Sequence, residues 1–393
     1  MKPTDIRDPE YFHKVVDCQY ACPAHTPVPE YIRLIAQERY DDAYMVNWES
    51  NVFPGILGRT CDRPCEPACR RGRVEEEPVA ICRLKRVAAD NKDSIIDRLP
   101  KIPKRKNGKK IALIGGGPAS LTVARDLAPL GYQLDLYDDQ PAGGGFMRSQ
   151  IPSFRLPPTV LDEEVDYILD MGITTHFETY VDSLKGVLDK GYDAVFVGTG
   201  APRGSDLELP GRAECEKHIH VGIEWLGSVA FEHIHKIGKR VLVLGGGNTA
   251  MDCCRTARRL GGEDVKVVVR SEFAKMKASP WEIEDAQAED IPIINNHVPK
   301  AFVHEGGKLL GMTFDQVEVV YDDAGKRSLV PTGTEVFFEA DEVLIAIGQD
   351  NAFPWIERNL GIEFGKWDMP QVDEQSFQSS NPKVFFGGDA AFG

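Results

Sequence analysis

The chain has 393 residues, 42% of them apolar and 27% charged, with a formal charge of −15. That length suits two or three domains with cores of their own, and the acidic balance excludes a nucleic-acid backbone as the expected partner. No apolar run approaches the roughly twenty residues of a membrane span, and the start, MKPTDIRDPEYFHKVV, lacks the basic-then-apolar order of a signal peptide, so a cytoplasmic protein is expected.

The first hundred residues read as helical. TPVPEYIRLIAQERYDDAYMVNWES opens with Pro27 and Pro29 and then places Tyr31, Ile32, Ile35 and Ala36 at helical spacing. EPVAICRLKRVAADNK reads as another helix. Between them lies GRTCDRPCEPACRRG, with Cys61, Cys65 and Cys69 each four residues apart. Six of the nine cysteines (Cys18, Cys22, Cys61, Cys65, Cys69 and Cys82) fall in the first 82 residues. A disulfide framework, a zinc site, an iron–sulfur cluster and free thiols are the possible readings. A reducing cytosol disfavours the first. Pro64 and Pro67 exclude a regular helix through Cys65, leaving a loop able to wrap a metal. Arg59, Arg63, Arg70, Arg71 and Arg73 crowd the same stretch, and cations favour the thiolates that ligate iron. Four thiolates would also suit zinc.

A basic, proline-bearing stretch, RLPKIPKRKNGKK, reads as a linker. Beyond Lys110, IALIGGGPASLTVARDLAPLGYQLDLYDD runs strand, glycine turn, helix, strand, and RVLVLGGGNTAMDCCRTARRLGGEDVKVVVR repeats the order from Arg240. Two such units predict an α/β fold with two Rossmann-like dinucleotide-binding domains. A pyrophosphate needs the unpaired N–H groups of a helix start and a backbone without Cβ atoms in the way. Gly115 and Gly117 fit the first two positions of that fingerprint, with the small Ser120 at the third, and Asp138 ends the next strand where a ribose would be bound. Gly245, Gly247 and Ala250 fill the second fingerprint, whose following strand ends at Arg270. Short strand signals follow in YDAVFVGTGA, DEVLIAIGQ and KVFFGGDAAFG, and AFVHEGGKLLGMTFDQVEVVYDDAGKRSLVPTGTEVFFEA alternates like antiparallel strands.

GGGPASLTVA, IPSFRLPPTVLDEEVDYILDMG, YDAVFVGTGA, GGGNTAMDCCRTARRLG, VLIAIGQ and VFFGGDA stand in the order found in the small subunit of glutamate synthase and its relatives. The chain resembles that family over essentially its whole length. The resemblance implies a helical iron–sulfur domain at 1–105, an FAD domain at 106–205 and 340–393, and an NAD(P)H domain at 206–339. It implies that Gly115, Gly117 and Asp138 hold the ADP half of FAD, with Ala119 and Ser120 also binding FAD. AGGGFMRSQIP, with Gly145, would pass near the isoalloxazine and Asp389 near the ribityl chain, with Gly200 and Gly388 also binding FAD. Gly245, Gly247, Asn248, Thr249 and Arg270 would hold the nicotinamide nucleotide, whose ring would stack on the flavin. Position and electrostatics then carry the chemistry, and no catalytic side chain is named.

Three departures from the family pattern matter. NADPH-using relatives carry two adjacent arginines after the second strand; here they read Arg270–Ser271, which favours NAD(H) over NADP(H). The family continues after the final aspartate into a helix facing the flavin, whereas this sequence ends at Gly393. The family holds two [4Fe–4S] clusters, for which six cysteines are too few; the pairing implied for this chain is one cluster on Cys22, Cys61, Cys65 and Cys82, with Cys18 and Cys69 left from the second site. The expected function is an FAD-containing NAD(P)H oxidoreductase subunit that passes electrons to an iron–sulfur or catalytic partner of a larger complex, of glutamate synthase or tungsten aldehyde oxidoreductase type. A free-standing flavin disulfide reductase would need a cysteine pair beside the flavin, and none lies between Asp138 and Gly200. A flavoprotein scaffold without turnover is the non-enzymatic alternative.

Overall fold

The computed structural model describes residues 16–321 and 327–392. The leader reading at 1–15, residues 322–326 and Gly393 lie outside the described residues. The chain forms two compact units.

One unit takes the chain up to residue 144 with 153–181 and 185–196. Its first part is helical: α1 (Asp17–Ala21), α2 (Val28–Ala36), α3 (Tyr40–Asn51), α4 (Pro54–Thr60) and α5 (Ile81–Asn91). Prolines stand in the first turns of α2 and α4, where their missing N–H costs no helical bond. The stretch expected to begin one helix gives two, because Glu38 takes a left-handed φ of 58° and breaks the run. Tyr31, Leu34, Ala43, Ile81 and Ala88 form the helical core, with Cys65 buried among them.

The rest of this unit is α/β. Strands β1 (Lys110–Ile114) and β2 (Gln133–Tyr137) run parallel, with α6 (Pro118–Leu127) crossing between them. After α7 (Pro158–Leu169) comes β3 (Thr174–His176), parallel to β2, and β4 (Ala194–Val197) lies on the other side of β1. β1 is buried at four successive positions, as a strand covered on both faces must be. Helix α7 packs on both α4 and α6.

The second unit holds 145–152, 182–184 and 197 onward. Its main sheet contains β5 (Ile219–Val221), β6 (Arg240–Leu244), β7 (Asp264–Val268), β8 (Ile293–Ile294) and β12 (Glu342–Ile345), in the order β5-β12-β6-β7-β8 and parallel throughout. Helices α8 (Gly222–Ala230), α9 (Asn248–Arg259) and α10 (Pro280–Ala288) accompany it, and Trp225, Met251, Cys253, Cys254 and Ile283 are buried in one core with its strands. An antiparallel sheet of β9 (His297–Glu305), β10 (Lys308–Tyr321) and β11 (Arg327–Glu339) follows, as the alternating pattern predicts. Strand β12 departs from the boundary drawn at residue 340. It pairs with β5 and β6, so the NAD(P)-type sheet extends through residue 345. Its run VLI is buried on both faces, which suits either parallel sheet equally, and the sequence alone does not say which.

Candidate functional site

The first fingerprint turn lies between β1 and α6. Gly115 has φ +92°, a conformation that favours glycine, and its N–H donates to the Tyr137 carbonyl at 2.8 Å, joining the ends of β1 and β2. Asp138 closes the turn. One carboxylate oxygen accepts from the Gly116 N–H and the other from the Gln140 N–H at 2.8 Å. A Cβ on Gly116 would stand 2.9 Å from that carboxylate, so the middle glycine, which fingerprint reasoning passed over, is fixed by Asp138. Burial raises the Asp138 carboxyl above its ordinary value, while the Gln140 and Gly116 N–H groups pull it down. Ser120 is fully buried and its hydroxyl has no hydrogen-bond partner. An orphaned hydroxyl at the start of a glycine-turn helix, together with a buried acceptor at the next strand end, fits the adenosine half of a dinucleotide. Ala119 lies in the first turn of the same helix.

In the second unit Gly245 has φ +139°, and a Cβ there would meet the Ala346 carbonyl oxygen at 2.1 Å. A Cβ on Gly247 would meet nothing within 4 Å, so open space faces the α9 start, where a phosphate would approach. The Gly246 carbonyl accepts from the Lys277 and Ala278 N–H groups, both at 2.9 Å. Asn248 is engaged: its oxygen accepts from the Ser279 N–H at 2.8 Å and its amide donates to the Ser279 hydroxyl at 3.3 Å. Its side chain thus clasps the loop after β7, leaving the helix-start backbone, with Thr249, for a ligand. Arg270 is exposed two residues beyond β7, and the Ser271 carbonyl accepts from Asn295 at 2.8 Å.

Also in this unit, Gly145 (φ +53°) precedes a short helix, Phe146–Ser149, and a Cβ on Gly200 (φ +67°) would stand 3.3 Å from the Phe146 ring. Thr199, beside Gly200, has a buried hydroxyl without a partner. Gly388 has φ +62°, and Asp389 is an exposed residue opening the helix Asp389–Phe392.

The cysteines gather around Tyr31. Cys18, Cys22, Cys65 and Cys82 all bear on its hydroxyl, which donates to the Ile81 carbonyl at 3.1 Å. Cys61 and Cys82 are in contact, and Cys65 is near Cys61 and Cys22; Cys18 is near Cys69. The contact with Cys82 draws the Cys61 thiol below its ordinary value, against the effect of burial. Burial pushes Cys65 up to about 12. Among the described residues no three Cys, His, Asp or Glu side chains converge as a single ion requires. A cubane makes no such demand, because each thiolate binds a different iron. The donor set therefore fits a cluster better than a zinc ion.

The cation facing these thiols corrects the arginine reading. Arg59 pairs with Asp90, Arg70 and Arg73 with Asp17, and Arg71 with Glu75. Lys85, 6% exposed, is the cation bearing on Cys61, Cys65 and Cys82 alike, with Arg63 acting on Cys82. Its signal was present in the sequence: Lys85 follows Cys82 by three residues on a helix. Glu164 was also missed. Fully buried on α7, it accepts from the Tyr44 hydroxyl at 2.7 Å and from the Gly55 and Ile56 N–H groups at 2.6 and 3.0 Å. It thereby holds the start of α4, the helix that ends at Cys61.

Comparison with known proteins agrees with this architecture. Residues 109–393 match the pyridine nucleotide-disulphide oxidoreductase model, and residues 13–95 match that for dihydropyrimidine dehydrogenase domain II, 4Fe-4S cluster. The chain is 36% identical to the NADP(+)-dependent formate dehydrogenase subunit beta of Moorella thermoacetica, over 96% of this chain and 56% of that protein. It is 35% identical to the NADPH-Fe(3+) oxidoreductase subunit beta of Geobacter sulfurreducens, over 93% and 56%. It is 30% identical to the glutamate synthase [NADPH] small chain of Azospirillum brasilense, over 96% and 81%. The chain thus spans about half the length of the first two relatives. Among solved structures, Mycobacterium tuberculosis FprA with NADPH superposes with a TM-score of 0.60 at 16% identity, covering 73% of this chain and 79% of that one. Thioredoxin reductase of T. acidophilum gives 0.55 at 19%, covering 72% and 91%. These structural likenesses bear on the fold alone. The family resemblance read from the motifs is borne out, and with it FAD, a nicotinamide nucleotide and a [4Fe–4S] cluster as cofactors.

Proposed function

Because the chain belongs to the pyridine nucleotide-disulphide oxidoreductase family, we propose that it is an electron-transfer subunit. It exchanges electron pairs with a nicotinamide nucleotide and passes single electrons, through its N-terminal cluster, to a partner subunit of a larger oxidoreductase. When bound, a flavin supplies the exchange between two-electron and one-electron chemistry. The Gly115–Gly117 turn and Asp138 bind and orient it, the Gly245–Gly247 turn and the α9 start bind the nucleotide, and Cys22, Cys61, Cys65 and Cys82 ligate the iron. The observation that carries this reading is α7, which packs on α6, the helix of the flavin fingerprint, and on α4, the helix leading to Cys61. One element braces both redox sites.

Two finer points complete the proposal. The nucleotide is NAD(H): Arg270 stands alone where two adjacent guanidiniums would grip a 2′-phosphate, although the relatives' names specify NADP or NADPH. The place of action is the cytoplasm, whose reducing poise keeps six clustered thiols available to iron. Among the described residues no helix is long and apolar enough to cross a membrane. The test is anaerobic mixing of the flavin-loaded protein with NADH or NADPH. Rapid bleaching of the flavin band by NADH, and slower bleaching by NADPH, is expected. Faster bleaching by NADPH would overturn the nucleotide assignment, and no bleaching by either would overturn the enzyme.

A further inference from the structure

A buried polar chain runs from α3 to Cys22. The Cys22 sulfur lies 3.5 Å from the Thr26 hydroxyl oxygen. That oxygen accepts from the Asn51 amide at 3.3 Å, and the same Asn51 nitrogen donates to the Asn47 oxygen at 3.2 Å. The Asn47 amide donates in turn to the Ala43 carbonyl at 2.8 Å. Thr26, Asn47 and Asn51 are 1%, 0% and 8% exposed, so water has no ready access to replace any of these bonds.

We propose that Thr26, oriented by Asn51 and Asn47, donates its hydroxyl proton to the Cys22 sulfur and thereby raises the reduction potential of the cluster which that cysteine helps to hold. The proposal rests on the reading of Cys22 as a cluster ligand.

The direction of the bond follows from the donor inventory. The Ala43 carbonyl can only accept, which fixes the Asn47 nitrogen on it and turns the Asn47 oxygen toward Asn51. Asn51 must then present its nitrogen to Asn47. Flipping Asn51 would set two acceptor oxygens against each other. Both hydrogens of the Asn51 amide are thereby used, one on Asn47 and one on Thr26, while the Asn51 oxygen is buried without a partner. The Thr26 oxygen, already accepting from Asn51, has its single proton free to point at Cys22. A sulfur bound to iron carries no proton and can only accept. Asn51 therefore donates to Thr26 and Thr26 to the sulfur, while Asn47 holds Asn51 in place by accepting its second hydrogen.

The effect on potential follows from charge. Reduction adds one electron to the cluster and forms or breaks no bond to Thr26. The added negative charge spreads onto the ligating sulfurs, so a donated hydrogen bond favours the reduced state over the oxidised one. The donor side of this bond is buried and Cys22 is half-buried, so the preference is less screened than it would be in open water. Thr26 touches the ligand; Asn51 and Asn47 act through Thr26 as positioning residues.

The experiment is an EPR-monitored redox titration of the anaerobically purified, iron-loaded full chain, with iron and sulfide assayed in each sample. Thr26→Val keeps the shape and removes the donor; it is expected to hold iron as the parent does and to titrate at a more negative midpoint. Thr26→Ser restores a donor and is expected to return the midpoint toward the parent value. Asn51→Leu leaves the hydroxyl present but unoriented and is expected to shift the midpoint in the same direction by less; should Thr26→Val lose its iron, this variant alone decides. An unchanged midpoint in an iron-loaded Thr26→Val, or in Asn51→Leu if Thr26→Val is empty, overturns the inference and leaves the electron-transfer reading intact. A parent protein without iron or sulfide overturns the cluster reading and the inference with it.

Discussion

Replacing Glu164 by glutamine tests the joint between the cluster domain and the flavin fingerprint. The carboxyl is 1% exposed, and burial pushes it from the ordinary 4.5 up to about 7, against the pull of the Ile56 and Gly55 N–H groups and the Tyr44 hydroxyl, with Glu163 adding to the rise. The folded-state value lies above the unfolded one. Between those values the native protein keeps a proton that the unfolded chain has released, so stability falls as pH rises. At about 1.4 kcal/mol per pH unit, a window of about 2.5 units is worth about 3 kcal/mol, lost between pH 4.5 and about 7 and constant above. Glutamine does not ionise and removes this component. Amide exchange of the α4 backbone in rising urea, from pH 5 to 8, reads the unfolding free energy of this part for both proteins. The stability of the parent relative to Glu164→Gln is expected to fall by about 2.5 kcal/mol across that range, which omits the lower end of the window. A difference that stays flat with pH would refute the reasoning, because Glu164 would then be ionised in the fold throughout.

Three further outcomes follow from the sites. Cys61→Ala is expected to abolish bound iron and sulfide while the flavin spectrum persists, read by elemental assay and absorbance. Gly116→Ala brings a Cβ to 2.9 Å from the Asp138 carboxylate; the displaced acceptor is expected to weaken FAD binding at least tenfold, about 1.4 kcal/mol, measured by flavin fluorescence titration. Ser271→Arg restores a second guanidinium and is expected to shift the kcat/KM ratio toward NADPH about tenfold, the scale of a charge-assisted hydrogen bond.

The dinucleotide turns were legible because strand, glycine turn and helix are consecutive in sequence, and each glycine answers a local backbone demand. The second strand's acid, Asp138, was legible for the same reason. Lys85 carried a local signal, three residues after Cys82, but its approach to Cys61 and Cys65 depends on how α5 packs against the loop before it. Glu164 carries a visible signal, an acid among Leu161, Val165 and Ile168 on the buried side of α7. Its partners, however, are more than a hundred residues earlier. The arginines misled because proximity in sequence is not proximity in space: acids at positions 17, 75 and 90 neutralise them. Strand β12 was assigned to the wrong side of a boundary because a doubly buried run carries no label for its sheet.

The central claim is that one chain binds a flavin, receives hydride equivalents from a nicotinamide nucleotide and releases electrons singly to iron. Stopped-flow absorbance of the FAD- and iron-loaded protein, mixed anaerobically with NADH and frozen in parallel for EPR, tests it most directly. The account predicts loss of the flavin band followed by a reduced-cluster signal. A flavin that stays oxidised with both nucleotides, or a protein that takes up no flavin, would contradict it.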